Sequence, residues 1–261
     1  MTGTRSLAAA QTIPRRGDVD ANVEDHVRLV HAAAEEQARV LVFPELSLTG
    51  YELDLAEDLA FSESDPRLAP LLALASSCGM TLVVGAPVRV APRLHIGAFV
   101  VSPDRSVGLY TKHHLGAFPA DANPGGIVPP PEATVFHPGN RNPLVRLDGG
   151  TAALAVCADT SRPSHPRQAA KRGARSYLAS MFVTLPELEK EHARLRACAL
   201  RHSMSVVLSN YGGPSGGLPS GGGSAIWSGE GELLARLEGG GSGIVIAIEG
   251  EAGWRARAIA R

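Results

Sequence analysis

The stretch TAALAVCAD, residues 151–159, sets how the rest of the chain reads. Six small and apolar residues follow the turn Asp148-Gly149-Gly150 without a break and stop at Cys157. Such a run reads as a buried strand whose last residue is lifted to the edge of its sheet. A thiol on a sharp strand exit faces substrate on one side and free backbone N–H groups on the other, which is what acyl transfer needs. The competing reading is a cysteine buried as a small hydrophobe.

Upstream, residues 6–10 read as a first strand, followed by a helix opening at Asp18 with Val23, Val27, Val30 and Ala34 at helical spacing. Residues 40–43 form a buried strand stopped by Pro44. Asp65-Pro66 announces a helix that ends at Gly79, and residues 81–84 form the next strand. Residues 98–101 and 107–111 then read as a hairpin about Ser102-Pro103-Asp104, and residues 144–147 with 151–156 repeat the pattern. Downstream come a short helix near 168–172, a strand at 177–179, a charged helix over 185–202, and strands at 206–209, 225–227, 233–237 and 244–248. Hairpins mixed with β-α crossovers predict an α/β, four-layer α-β-β-α sandwich: two mixed sheets face to face with helices outside. The glycine-rich stretch 212–223 reads as a mobile rim or lid and not a linker, because strands needing the same core continue after it. The whole chain, 1–261, is therefore expected to be one domain.

Composition narrows the function. With 261 residues, 44% of them hydrophobic, the chain can bury a large core. A formal charge of -1 and no long Lys/Arg cluster argue against nucleic acid, and no apolar stretch is long enough to span a membrane. The first sixteen residues carry no h-region of a signal peptide, so a cytoplasmic protein is expected. Cys78, Cys157 and Cys198 are odd in number and widely spaced, which fits reduced thiols better than disulfides or a CxxC metal site.

Three reactive residues each close an apolar strand: Glu45 after residues 40–44, Lys112 after 107–111 and Cys157 after 151–156. Such a residue abutting a core is costly unless it is paired or works. A carboxylate that takes the thiol proton, a thiolate that attacks and a lysine that stabilises an oxyanion form one coherent site.

The words around these residues resemble the nitrilase superfamily of carbon-nitrogen hydrolases. LVFPELSLTGY (41–51) looks like the family's glutamate motif, YTKHHL (110–115) like its lysine motif and LAVCAD (154–159) like its cysteine motif, all in the family's order. PEATVFHPGN (131–140), GGSAIW (222–227) and Ser209-Asn210 extend the similarity over nearly the whole chain. The resemblance implies Glu45 as general base and acid, Lys112 as oxyanion stabiliser, Cys157 as nucleophile and Glu132 as a second glutamate that positions substrate and lysine. It also implies the sandwich fold, no cofactor, and a homodimer or higher homo-oligomer paired through helices flanking the cysteine. After the cysteine the chain departs from the family's usual aromatic-Asp-x-Arg-Phe-Pro-Glu: Ala158 opens space beside the nucleophile, and the altered stretch leaves substrate type open.

The expected activity is thiol-dependent hydrolysis of a C–N bond in a small amide through an acyl-enzyme, with Lys112 and the Ala158 N–H holding the oxyanion. An N-carbamoyl amide hydrolase, a nitrilase, or a catalytically idle binding protein on the same fold are the rivals. Tyr51 and Phe182 either line the substrate pocket or pack in the core. Neighbouring His113 and His114 should face opposite ways on an extended segment, and no third ligand has suitable spacing for a metal. The run ELEKEHARLRACALR, 187–201, reads as a solvated helix face.

Overall fold

The computed structural model describes residues 5–261. Thirteen strands form two sheets among the described residues. The seven-stranded sheet has the order β13-β12-β1-β2-β3-β4-β5, and the six-stranded sheet β11-β10-β9-β8-β7-β6. The first sheet is built from β1 (Ser6–Gln11), β2 (Val40–Val42), β3 (Thr81–Val90), β4 (Arg93–Val101), β5 (Val107–Thr111), β12 (Gly243–Gly250) and β13 (Gly253–Ala260). The second holds β6 (Leu144–Leu147), β7 (Gly150–Val156), β8 (Ala174–Ser180), β9 (Ser205–Ser209), β10 (Ala225–Trp227) and β11 (Leu233–Arg236). Helices α1 (Val19–Glu35) and α2 (Ala69–Cys78) accompany the first sheet, α3 (Ser164–Lys171) and α4 (Leu188–His202) the second.

Strand periodicity explains the four layers. In β1, Leu7 and Ala9 point into the core between the sheets, while Ala8 and Ala10 face α1 and α2. In β7, Ala152, Leu154 and Val156 point inward, and Ala153 and Ala155 pack with residues of α3 and α4. A strand covered on both faces has no solvent side, which is why TAALAV runs apolar without alternation. This is the expected α-β-β-α sandwich.

Local signals place the helices. Asp18 caps α1 by accepting from Ala21 N at 3.1 Å, and Gly79 ends α2 in the left-handed conformation. Asp65-Pro66 opens a 3₁₀ turn, Pro66–Leu68, that runs on into α2. Two features escaped the sequence reading. The β3–β4 hairpin extends well past Val84, because Gly85 and Pro87 interrupt an apolar pattern whose backbone pairing nevertheless continues from Leu82↔Val101 to Val90↔Arg93. Strand β13 is an edge strand, largely exposed and arginine-bearing, so it lacks a burial signature. The stretch 212–223 is also not a free lid. Asn210 Nδ2 donates to Gly222 O at 2.7 Å, Gly221 N to Val183 O at 2.9 Å and Gly216 N to Glu52 at 2.9 Å. A Cβ on Gly212 would lie 1.7 Å from Gly241 O, so glycine here serves close backbone approach.

Topology then gathers the strand ends. β2 is parallel to β3, and two antiparallel steps through β4 make β5 parallel to both, so β2 and β5 end on the same side. β7, β8 and β9 are mutually parallel, and the bridge Thr12↔Tyr211 joins the exits of β1 and β9 across the sheets. The segments after β2, β5 and β7 therefore meet at one end of the sandwich. Gly85 seats the first of them: a Cβ there would stand 2.4 Å from Leu46 N and 2.8 Å from Pro44 O, against the backbone that carries Glu45. Gly85→Ala must push that turn away. It should cost about 1–3 kcal/mol of stability in urea unfolding, and a variant as stable as the parent would show that the turn yields freely.

Candidate active site

At the gathered strand ends lies a buried lysine between two buried glutamates. Lys112 Nζ donates to Glu45 Oε1 at 2.6 Å and to Glu132 Oε1 at 2.7 Å, and solvent reaches almost none of the three side chains. Ions this deep are tolerated only when paired and hydrogen-bonded. Glu132, on the short turn Glu132–Thr134, is held further by Tyr51 OH at 2.8 Å on Oε1 and by Gly116 N at 2.8 Å on Oε2. Glu45 differs. Its Oε2 is buried and has no hydrogen-bond partner among the described residues.

Cys157 leaves β7 with φ +42°, a left-handed conformation costing roughly 1–3 kcal/mol for a non-glycine residue. Asp159, fully buried two residues on, holds the turn in place. Its Oδ2 accepts from Val156 N at 3.1 Å and Tyr110 OH at 2.7 Å, and its Oδ1 accepts from the backbone N–H groups of His113 and His114 at 3.2 and 2.8 Å. One carboxylate thus clamps the cysteine turn to the segment just after Lys112. Tyr110 OH also meets His165 Nε2 at 2.9 Å, and His165 Nδ1 meets Tyr177 OH at 2.8 Å, which extends the clamp into α3 and β8. The clamp changes one expectation: His113 and His114 do not face apart. The chain bends after β5, and both rings pack against His165.

The charges set the protonation states. Burial pushes the Glu45 carboxyl up to about 7, with Lys112 opposing and Glu132 reinforcing the rise. Burial by itself would pull Lys112 down, but Glu45 and Glu132 outweigh it and hold the ammonium above its ordinary range. Burial and then the Glu45 charge push the Cys157 thiol well above its usual value, against the pull of Lys112. Two carboxylates against one ammonium leave a net negative neighbourhood in which sulfur keeps its proton. The arrangement suits transfer of that proton to a carboxylate when an electrophile arrives.

Cys157 opens into a cleft of about 430 Å³ lined by Phe118, Ala158, Ser161, Phe182 and Thr184, with Glu187, Lys190, Glu191 and Arg194 along one wall. Ala158 and Phe182 thus line the same cleft as Cys157. Tyr51 does not line this cleft; its ring packs on Phe118 and Phe182 and its hydroxyl serves Glu132. The sequence reading missed Asp159, Tyr110 and His165 as supports, and read the wall residues as a solvated face. Asp159 stood within the cysteine motif and was open to notice. His165 and the wall gave no local signal.

The family model described as carbon-nitrogen hydrolase matches residues 6–248. The chain belongs to the carbon-nitrogen hydrolase family and is a hydrolase. A protein called hydrolase in pqqF 5'region, from Pseudomonas protegens, is 28% identical over 89% of this chain and 78% of its own. The glutamine-dependent NAD(+) synthetase of Mycobacterium tuberculosis is 25% identical over 85% of this chain, which spans only 35% of that protein. Among solved structures, an amidase of the nitrilase superfamily from Nesterenkonia sp. AN1 shares the fold. A Cys→Ala variant in complex with butyramide superposes with TM-score 0.81, 26% identity and coverage of 94% of this chain and 90% of its own. A second variant, carrying the acetamide moiety of fluoroacetamide on its active-site cysteine, gives 0.82, 25%, 96% and 92%.

Asp159→Asn keeps the shape of the clamp but removes its charge and turns a donor toward Val156 N or the histidine N–H groups. Urea unfolding should show a loss of about 2–3 kcal/mol, the scale of hydrogen bonds to a charged group. A loss below about 0.5 kcal/mol would be no more than an ordinary surface substitution and would contradict the clamp.

Proposed function

We propose that the protein hydrolyses the C–N bond of a small amide through a cysteine acyl-enzyme. The observation that carries this reading is the buried Glu45–Lys112–Glu132 bridge beside Cys157, with one oxygen of Glu45 left without a partner. Glu45 takes the thiol proton as Cys157 Sγ attacks the carbonyl carbon and the S–C bond forms. Lys112 and the Ala158 N–H stabilise the oxyanion. The protonated Glu45 hands its proton to the amide nitrogen, the C–N bond breaks, and ammonia or an amine departs. Water attacks the thioester carbon while Glu45 accepts its proton; the S–C bond breaks, and the proton returns to sulfur. Glu132 fixes the lysine and the substrate amide, and the cycle needs no cofactor. The butyramide bound to the Nesterenkonia amidase, and the adduct on that enzyme's cysteine, support an amide as substrate. Pairing of two copies through the helices after the cysteine, α3 and α4, belongs to the same reading, and light scattering of the purified protein tests it.

Two measurements test the mechanism. Glu45 must be ionised to accept the proton, and its carboxyl titrates at about 7. Below that, kcat/KM for butyramide should fall about tenfold per pH unit, while above it the rate should level off. A profile flat from pH 5 to 8 would remove Glu45 as the base.

Glu45→Gln should lower kcat/KM at least about a thousandfold, with no acyl-enzyme seen in the mass spectrum. Wild-type turnover by this variant would require another base.

A further inference from the structure

The cleft wall formed by Glu187, the residue just before α4, and the first turns of α4 carries four charges in an ordered arrangement. Glu187, Lys190, Glu191 and Arg194 lie three or four residues apart and so share one helix face. Lys190 Nζ sits 2.8 Å from Glu187, and Arg194 Nη1 sits 2.7 Å from Glu191 Oε1. The inner pair is the more enclosed: the Glu191 side chain is 10% exposed and that of Arg194 31%. Glu191 is the one acid among the buried residues of the helix, and burial pushes its carboxyl up while Arg194 pulls it down. Glu191 occupies only Nη1 of Arg194. Among the described residues no acceptor takes Nε or Nη2, so the guanidinium keeps two donors for a ligand.

An apolar amide drawn against this wall would strip water from two ion pairs and return nothing, a net cost. A ligand of single charge would meet its partner but would also press against the like charge beside it. A ligand with both charges satisfies all four groups, because the wall carries two of each sign and sums to zero. The remainder of the cleft, Phe118, Phe182 and Thr184, is mostly apolar and suits a short methylene arm.

Building on the amidase reading, we propose that the scissile amide stands at one end of a short chain whose other end is a zwitterionic α-amino-acid head group, and that α4 is the specificity element. The head-group carboxylate binds Arg194 and Lys190, and the ammonium binds Glu187 and Glu191. Glu191 also positions the Arg194 guanidinium.

The test compares amides of different charge by ammonia release: butyramide (neutral), glutaric acid monoamide (anion) and 4-aminobutyramide (cation), all of the same reach as the zwitterion L-glutamine, and the one-methylene-shorter zwitterion L-asparagine. The better zwitterion should exceed each of the others in kcat/KM by about tenfold or more. Arg194→Gln and Glu191→Gln should each cut the zwitterion-to-butyramide ratio about tenfold, mainly through KM. Independently, calorimetric titration of the Cys157→Ala protein should show tighter binding of the zwitterion than of butyramide. Equal or better turnover of a neutral or singly charged amide overturns the head-group site and leaves the amidase reading standing. So does a ratio that neither substitution moves, or calorimetric binding without preference. Tighter zwitterion binding with no turnover of any amide by the wild-type protein supports the site and sinks the amidase reading.

Discussion

One ammonium shared between two buried carboxylates is the constraint around which this end of the molecule is organised. Removing three ionised groups from water costs several kcal/mol for each, and only tight mutual pairing offsets it. Lys112 lies at hydrogen-bond distance from Glu45 and Glu132, so three distant segments must converge within a few ångströms. The supporting contacts keep that convergence exact in geometry: Tyr51 and Gly116 N hold Glu132, Gly85 gives the Glu45 turn room, and Asp159 ties the Lys112 segment to the cysteine turn.

The same charge arithmetic decides the chemistry. With two acids against one base beside it, the thiol stays protonated, and Glu45 is lifted to about 7 by burial. The thiol therefore holds its proton more tightly than Glu45 does, so in the proposed mechanism the proton moves only as the S–C bond forms, and a carboxyl near neutrality can then give it back. A strained φ at Cys157 is held by five donors' worth of local bonding about Asp159, two of them from the backbone after Lys112. Cys157 and Lys112 are consequently placed by one shared support.

In the proposed mechanism the cleft divides between a reaction end and a recognition end. Ala158, next to Cys157 in the cysteine motif, and Phe182 line the reaction end. The recognition end is a helix face outside every motif, charged in both signs and half-sheltered. Machinery common to a family can thus stay constant while a neighbouring helix changes what is admitted.

The layers, most strands and the strand-closing positions of Glu45, Lys112 and Cys157 were legible in the residues alone, because an apolar run covered on both faces leaves a continuous pattern and a reactive residue closing it stands out, whereas Glu132, which closes no strand, came only from the family resemblance. Strand β13 and the far half of the β3–β4 hairpin were not, since an exposed edge and a glycine-proline interruption carry no periodic signal. Tertiary structure alone decided that Tyr51 serves Glu132 instead of lining the cleft, that both histidines after Lys112 turn toward His165, and that the charged face of α4 walls the site. Each depends on which surface of another element lies opposite. Helical spacing tells which residues share a face, but what that face meets is fixed by packing between segments remote in sequence.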